Sequence, residues 1–163
     1  MPKELPDYES IAIGVFDRIQ NDFPHLTMKL TGPIEHVNLD LEIPKQPGLS
    51  FEIGLNLQND ELHLCASGFW NEWFPCSDTD VVENYFEAVT GLIRGTHRLK
   101  ETLRGKTVVK SILQEPDKKG WVDMAHYYCL HIPWFRKKSI RIIINKEASI
   151  CPSAMDVSSL TPP

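Results

Sequence analysis

Cysteine is scarce in this chain: Cys65, Cys76, Cys129 and Cys151 stand far apart among 163 residues, with no C-x-x-C pair. A domain of this size buries enough surface to hold a core without cross-links, so the thiols read as reduced. Long apolar runs are missing too. None approaches the roughly 20 residues that cross a bilayer, and the opening Met1-Pro-Lys-Glu-Leu-Pro6 has neither the basic flank nor the apolar stretch of a secretion signal. The expectation is a soluble, cytoplasmic protein without membrane contact. The chain also lacks a Gly-rich phosphate loop and any established catalytic spacing, so nothing names a reaction or calls for a cofactor.

Positive charge is thin in the first half. Residues 1–82 carry four Lys/Arg against 14 Asp/Glu, a net of -10, whereas residues 83–163 carry 13 against eight, a net of +5. If folding keeps the halves apart, each can steer an oppositely charged partner, and two copies can form a homo-oligomer head to tail. Solvated faces of unequal composition account for the same numbers without a partner.

What the chain has in abundance is periodic apolar patterning. Tyr8, Ile11, Ala12, Val15, Phe16 and Ile19 recur at helical spacing, with Asp7 placed to cap the start and Pro24 to prevent continuation, which predicts a helix over 7–22. Alternating runs follow at 36–43, 49–57 and 62–67, each with one apolar side, as in half-buried antiparallel strands. A two-residue loop at Asn59-Asp60 sets Leu57 against Leu62, Leu55 against Leu64, Ile53 against Ala66 and Leu49 against Trp70. A five-residue loop, Pro44 to Gly48, pairs Leu41 with Phe51 and Leu39 with Ile53. Ser77-Asp-Thr-Asp80 reads as a helix start, Val82, Tyr85, Phe86, Val89, Leu92 and Ile93 as its apolar stripe, and Gly95 as its stop. Strand patterns resume at 98–104, 107–115, 121–132 and 140–145. A turn at Gly105-Lys106 places Glu101 opposite Lys110.

Three groups of residues are candidates for chemistry. The polar side of the first meander brings His36, Asn56 and His63 into one row, Asn38, Gly54 and Cys65 into the next, and Asp40, Glu52 and Ser67 into a third. Asp40 facing Glu52, near His63 and Cys65, suggests an acid/base or shallow metal site; a solvated sheet face explains the same residues without one. His63-x-Cys65 and Cys129-x-His131 each put two zinc ligands on one side of a strand, so adjacent strands would offer a Cys2His2 set. Cys65 with His63 or His131 as base is the corresponding nucleophile. The third group is aromatic. Trp70 falls on the apolar side and is expected in the core, while Trp73 and Phe74 lie in the turn before the second helix, as a lid that doubles as a binding anchor. A second patch, Ile132-Pro-Trp134-Phe135-Arg136-Lys137-Lys138, joins two strands and sets aromatics beside cations. Such a patch can stack on bases, but the acidic chain and the missing signature disfavour nucleic acid.

Together these features predict an α+β fold: a mainly antiparallel sheet of about seven or eight strands and two main amphipathic helices, in helix, meander, helix, meander order. Residues 1–146 are expected to form a single globular domain and 147–163 a flexible Ser/Pro-rich tail. The expected function is a non-enzymatic protein-binding module of inhibitor, immunity or adaptor type, with Trp73, Phe74, Trp134, Phe135, Arg136, Lys137 and Lys138 as the contact residues. The alternative is a small enzyme, or a ligand or metal binder, using His63, Cys65, Asp40 and Glu52, or a zinc ion on His63, Cys65, Cys129 and His131.

Overall fold

The first helix, α1 (Tyr8–Asp22), begins where expected, with the Asp7 carboxylate accepting from the Ser10 backbone N–H at 3.1 Å, and it buries Ala12, Val15, Phe16 and Ile19. The computed structural model describes residues 7–130 and 133–146; the stretch 147–163 lies outside them. Five strands follow α1: β1 (Lys29–Thr31), β2 (Leu39–Ile43), β3 (Ile53–Gln58), β4 (Glu61–Ala66) and β5 (Phe69–Trp73). Then come α2 (Thr79–Arg94), β6 (Arg98–Arg104), β7 (Thr107–Asp117), β8 (Gly120–Tyr128) and β9 (Lys138–Ile143). The cap of α2 is Asp78, and Gly95 ends it in the left-handed region at φ 74°. None of the described helices is long and apolar enough to cross a membrane.

The fold is α+β, as the patterning predicts, but the nine strands among the described residues divide between two antiparallel sheets instead of sharing one. The first is a meander, β1-β2-β3-β4-β5, and the second has the order β8-β7-β6-β9. The division follows from connectivity. Helix α2 carries the chain away from β5, and β9 returns to the far side of β6, so the later strands find partners among themselves.

The β3–β4 hairpin has the expected register, with Leu57 paired to Leu62, Leu55 to Leu64 and Ile53 to Ala66. Its turn residue Asn59 takes φ 55°, the left-handed conformation that two-residue hairpins demand. The β2–β3 pairing differs: Leu39 meets Leu57 and Leu41 meets Leu55, four residues from the expected Ile53 and Phe51. The connection folds on itself through a Gln46–Leu49 bridge and is therefore longer than a minimal loop. An even displacement leaves every side chain on its expected face. The proposed Leu49–Trp70 pair does not form, because the chain reverses at Ser67-Gly68 and β5 folds back on β4, pairing Cys65 with Trp70 and Ala66 with Phe69.

Both helices cover the apolar side of the first sheet. Leu41, Leu55, Leu57, Leu62 and Leu64 meet Phe16, Ile19, Tyr85 and Leu92 in one fully buried cluster that extends to Leu99 and Leu113 of the second sheet. Each such side chain contributes about 1.5–3 kcal/mol by leaving water. Tyr85, the largest of them, keeps its hydroxyl satisfied by donating to the His63 carbonyl at 2.9 Å.

A bulge between Thr102 and Leu103 shifts the β6–β7 register. Leu103 still pairs with Val108, but beyond the bulge Glu101 meets Ser111, and Lys110 meets Thr102. The expected Glu101–Lys110 pair is thus replaced. Glu101 turns inward and is fully buried, where one oxygen accepts from the Gly68 N–H at 3.0 Å and the other from Arg141 Nε at 2.9 Å. Arg141 is its partner across β6–β9. Gly68 admits this approach because a Cβ there would lie 2.8 Å from Val108.

Arg141→Ala strips the cation from a fully buried carboxylate and is expected to cost about 3 kcal/mol. Glu101→Ala leaves a half-exposed guanidinium and one N–H without an acceptor, and is expected to cost less, about 1–2 kcal/mol. Urea denaturation compares the two, and an equal or reversed order contradicts the buried pair.

Candidate functional site

The outer side of the first sheet carries the residues singled out for acid/base chemistry, in a different arrangement. Asp40 pairs with Asn56, which pairs with His63; Glu42 pairs with Gly54, which pairs with Cys65. The four-residue displacement of β2 therefore separates Asp40 from its expected partner Glu52, which sits just before β3, and leaves His36 in the loop before β2. Asp40, Glu42, Glu52, Asn56, Cys65 and Ser67 nevertheless line one concavity of about 400 Å³. Its lining holds three carboxylates and no Lys or Arg.

Charge and burial in this concavity act against nucleophilic chemistry. Burial, with Glu42 nearby, pushes the Asp40 carboxyl above its ordinary range, and Lys29 only partly offsets this. Burial, then Asp40, pushes the Cys65 thiol upward as well. A thiol held in its neutral form is a poor nucleophile at neutral pH. Cys76 is more extreme, pushed up to about 11 by burial and then by Asp60.

The Cys2His2 set expected from His63, Cys65, Cys129 and His131 requires adjacent strands. Instead β4 lies between β3 and β5, and β8 pairs with β7 in the other sheet. Cys129 follows β8, its backbone N–H donating to the Val109 carbonyl, and His131 lies outside the described residues. His63 is only 3% exposed. Trp70 packs edge-on against its ring at 5.2 Å and reaches Tyr127 of the second sheet at 6.4 Å. Trp70 is thus on the polar side and partly exposed, not in the core: the Ser67-Gly68 reversal inverts the parity that the alternation of 62–67, carried on to residue 70, implies.

The same inversion sends Trp73 inward. It is 9% exposed, its indole N–H donating to Asn84 Oδ1 at 2.7 Å and its ring edge-on to Tyr85, so it closes the core and is not available as an anchor. Phe74, next in the chain, is exposed.

The second aromatic patch is open. Trp134 is 73% and Phe135 87% exposed, and Arg136, Lys137 and Lys138 are exposed beside them. The turn between β6 and β7 braces this connection, with Gly105 N–H donating to the Lys137 carbonyl at 3.0 Å. Arg104 Nη1 donates to the Arg136 carbonyl at 3.2 Å. The patch continues onto the outer side of the second sheet, where one cross-strand row reads Tyr128, Lys110, Thr102, Ile140 and the next His126, Ile112, Lys100, Ile142. Tyr128, Ile140 and Ile142 are exposed, and cations lie over rings: Lys110 Nζ 4.9 Å from the Tyr128 centroid, Arg98 3.9 Å from that of Trp121. Sequence reasoning missed these sheet residues, since Ile140, Ile142, Ile143 and Ile144 form a run without alternation that does not say which side is wet.

The raised Asp40 carboxyl gives a signed expectation. A carboxyl whose folded-state value lies above its unfolded one disfavours folding once it ionises, so Asp40→Asn is expected to stabilise the protein at pH 7. The gain should fade as pH falls below about 4, where both states are protonated. Urea denaturation at pH 7 and pH 3 measures it. Compared with protein-family models, with curated proteins and with solved structures, the chain matches none of them.

Proposed function

We propose that this chain is a non-enzymatic protein-binding module, soluble and cytoplasmic, which grips an acidic protein partner with the outer side of its second sheet and the 133–138 connection. The observation that carries the reading is the continuity of Tyr128, Trp134, Phe135, Ile140 and Ile142 as exposed side chains interleaved with Lys100, Lys110, Arg136 and Lys138. Large apolar side chains gathered in one exposed area favour an interface, and aromatics with Arg are the residues that most often dominate binding energy. The surrounding cations favour an acidic partner and speed encounter with it. The module is of inhibitor, immunity or adaptor type. Nucleic acid fits less well, because Lys110 and Arg98 lie over the protein's own rings and the first half of the chain is strongly acidic. The raised Cys65 thiol supports the non-enzymatic side of the reading.

A second reading, a small cationic ligand in the Asp40–Glu42–Glu52 concavity, is favoured by its three carboxylates alone.

Native mass spectrometry of untagged protein, purified gently from its own cells, distinguishes the two. The wild type and Cys65→Ser are expected to retain an acidic protein at fixed stoichiometry, and Trp134→Ala combined with Ile140→Glu to lose it at least tenfold while remaining folded. Trp73→Ala is expected to act on stability instead, at about 3–5 kcal/mol. A bare chain holding a small cation, lost in Glu52→Gln, moves the site to the concavity.

A further inference from the structure

Beside the concavity, β4 and β5 bring a second group of side chains together. Glu61 and His63 alternate on β4 toward the outer side, and Glu72 is paired with His63 across the β4–β5 ladder. One ligand atom from each residue lies within 4.8 Å of the others. The His63 Nε2 to Glu61 Oε2 distance is 3.1 Å. Two ligands bound at 2.0–2.2 Å to a tetrahedral ion stand about 3.3 Å apart, so this pair already has the spacing of two ligands on one metal. Glu72 is partly exposed, and its rotatable side chain can close the remaining gap.

Two further observations point to a ligand. First, among the described residues no Lys or Arg pairs with either glutamate; Glu61 has His63 as its partner, and the Glu72 carboxylate has none. Like charges flanking one imidazole on neighbouring strands cost stability unless a cation offsets them. Second, His63 is almost wholly buried, and its Nδ1 has no hydrogen-bond partner. With the proton on Nε2 the ring donates to Glu61 Oε2 at 3.1 Å; a metal ion in that position replaces the proton and bonds both atoms. Trp70, edge-on against the ring, and the Tyr85 hydroxyl on the His63 carbonyl hold the histidine in place, as a fixed ligand requires.

We infer that Glu61, His63 and Glu72 form a binding site for a divalent transition metal of the zinc class. A divalent ion neutralises the two carboxylates, and imidazole with carboxylate oxygens is a ligand set that zinc accepts. Three protein ligands leave a fourth position open to water. The site shares only His63 with the Cys2His2 set expected from sequence, is distinct from the residues proposed for protein binding, and stands or falls without them.

Cobalt is the probe, because it takes zinc sites and reports its ligands by visible absorption. Untagged protein is stripped with a chelator and titrated with Co2+, then with Zn2+. The expected result is one equivalent of Co2+ bound with visible ligand-field bands and displaced by Zn2+. Glu61→Gln and Glu72→Gln are each expected to weaken it at least about tenfold, the scale of loss seen even for outer-shell changes, while Glu52→Gln leaves it unchanged. Both substituted side chains reach solvent, so the fold should survive, and urea denaturation checks that it does. Histidine ligation is read in the wild type from a paramagnetically shifted imidazole N–H resonance, so the result does not depend on whether a His63 variant folds. A wild type that retains no cobalt overturns the proposal. Equal retention by both Gln variants also does so, as does a loss confined to Glu52→Gln, which would put the ion in the concavity.

Discussion

The reversal of the chain at Ser67-Gly68 decides which side of the first sheet each residue of β5 occupies, and the same turn is where the second sheet attaches. Because Gly68 lacks a Cβ, Val108 comes within contact distance, and the turn's free N–H reaches the Glu101 carboxylate. Trp73 then closes the core on Asn84 and Tyr85, while Trp70 lies over His63 and touches Tyr127. The burial of His63, the exposure of Glu72 and the junction between sheets all descend from this one turn.

Much of the architecture was legible because pattern and turn chemistry agreed. Asn59-Asp60 between alternating leucines fixed the β3–β4 register, and Asp7 and Gly95 marked helix ends, each through a local rule. The misreadings have equally local causes. The β2–β3 connection bridges within itself at Gln46–Leu49, which a count of loop residues does not reveal, though an even displacement spared the faces. Gly68 follows a run that alternates from Leu62 to Ser67, and carrying that parity on to Trp70 continues the strand where the chain in fact turns. The bulge after Thr102 exchanged Lys110 for Arg141 as the partner of Glu101, a long-range choice that no local spacing encodes.

The candidate sites divide along the same line. Trp134 and Phe135 stood out in the sequence by the three cations that follow them, but whether they cap the core or face water was not legible there; both are exposed. The polar residues of β3 and β4 fall in their expected rows, Asn56 with His63 and Gly54 with Cys65, but those of β2 are displaced, and rows decide chemistry. Asp40 is near Asn56 instead of Glu52, and His63 has Glu61 and Glu72 for company instead of a thiol pair. The charge asymmetry of the sequence survives folding in part: the concavity on the first sheet is lined by carboxylates, while Lys100 and Lys110 stand on the outer side of the second.

Strand β9 reaches β6 only after β7 and β8 have been laid down on the opposite side. During synthesis, then, Glu101 emerges some forty residues before Arg141, the side chain that neutralises it. A nascent chain halted before residue 141 lacks the cation that accompanies this carboxylate inside the protein, so the joint between the sheets is completed only once β9 has left the ribosome. The two-sheet assembly is in this sense closed by its last described strand, and the early half, with its own helices and leucine core, has to persist unaided until then.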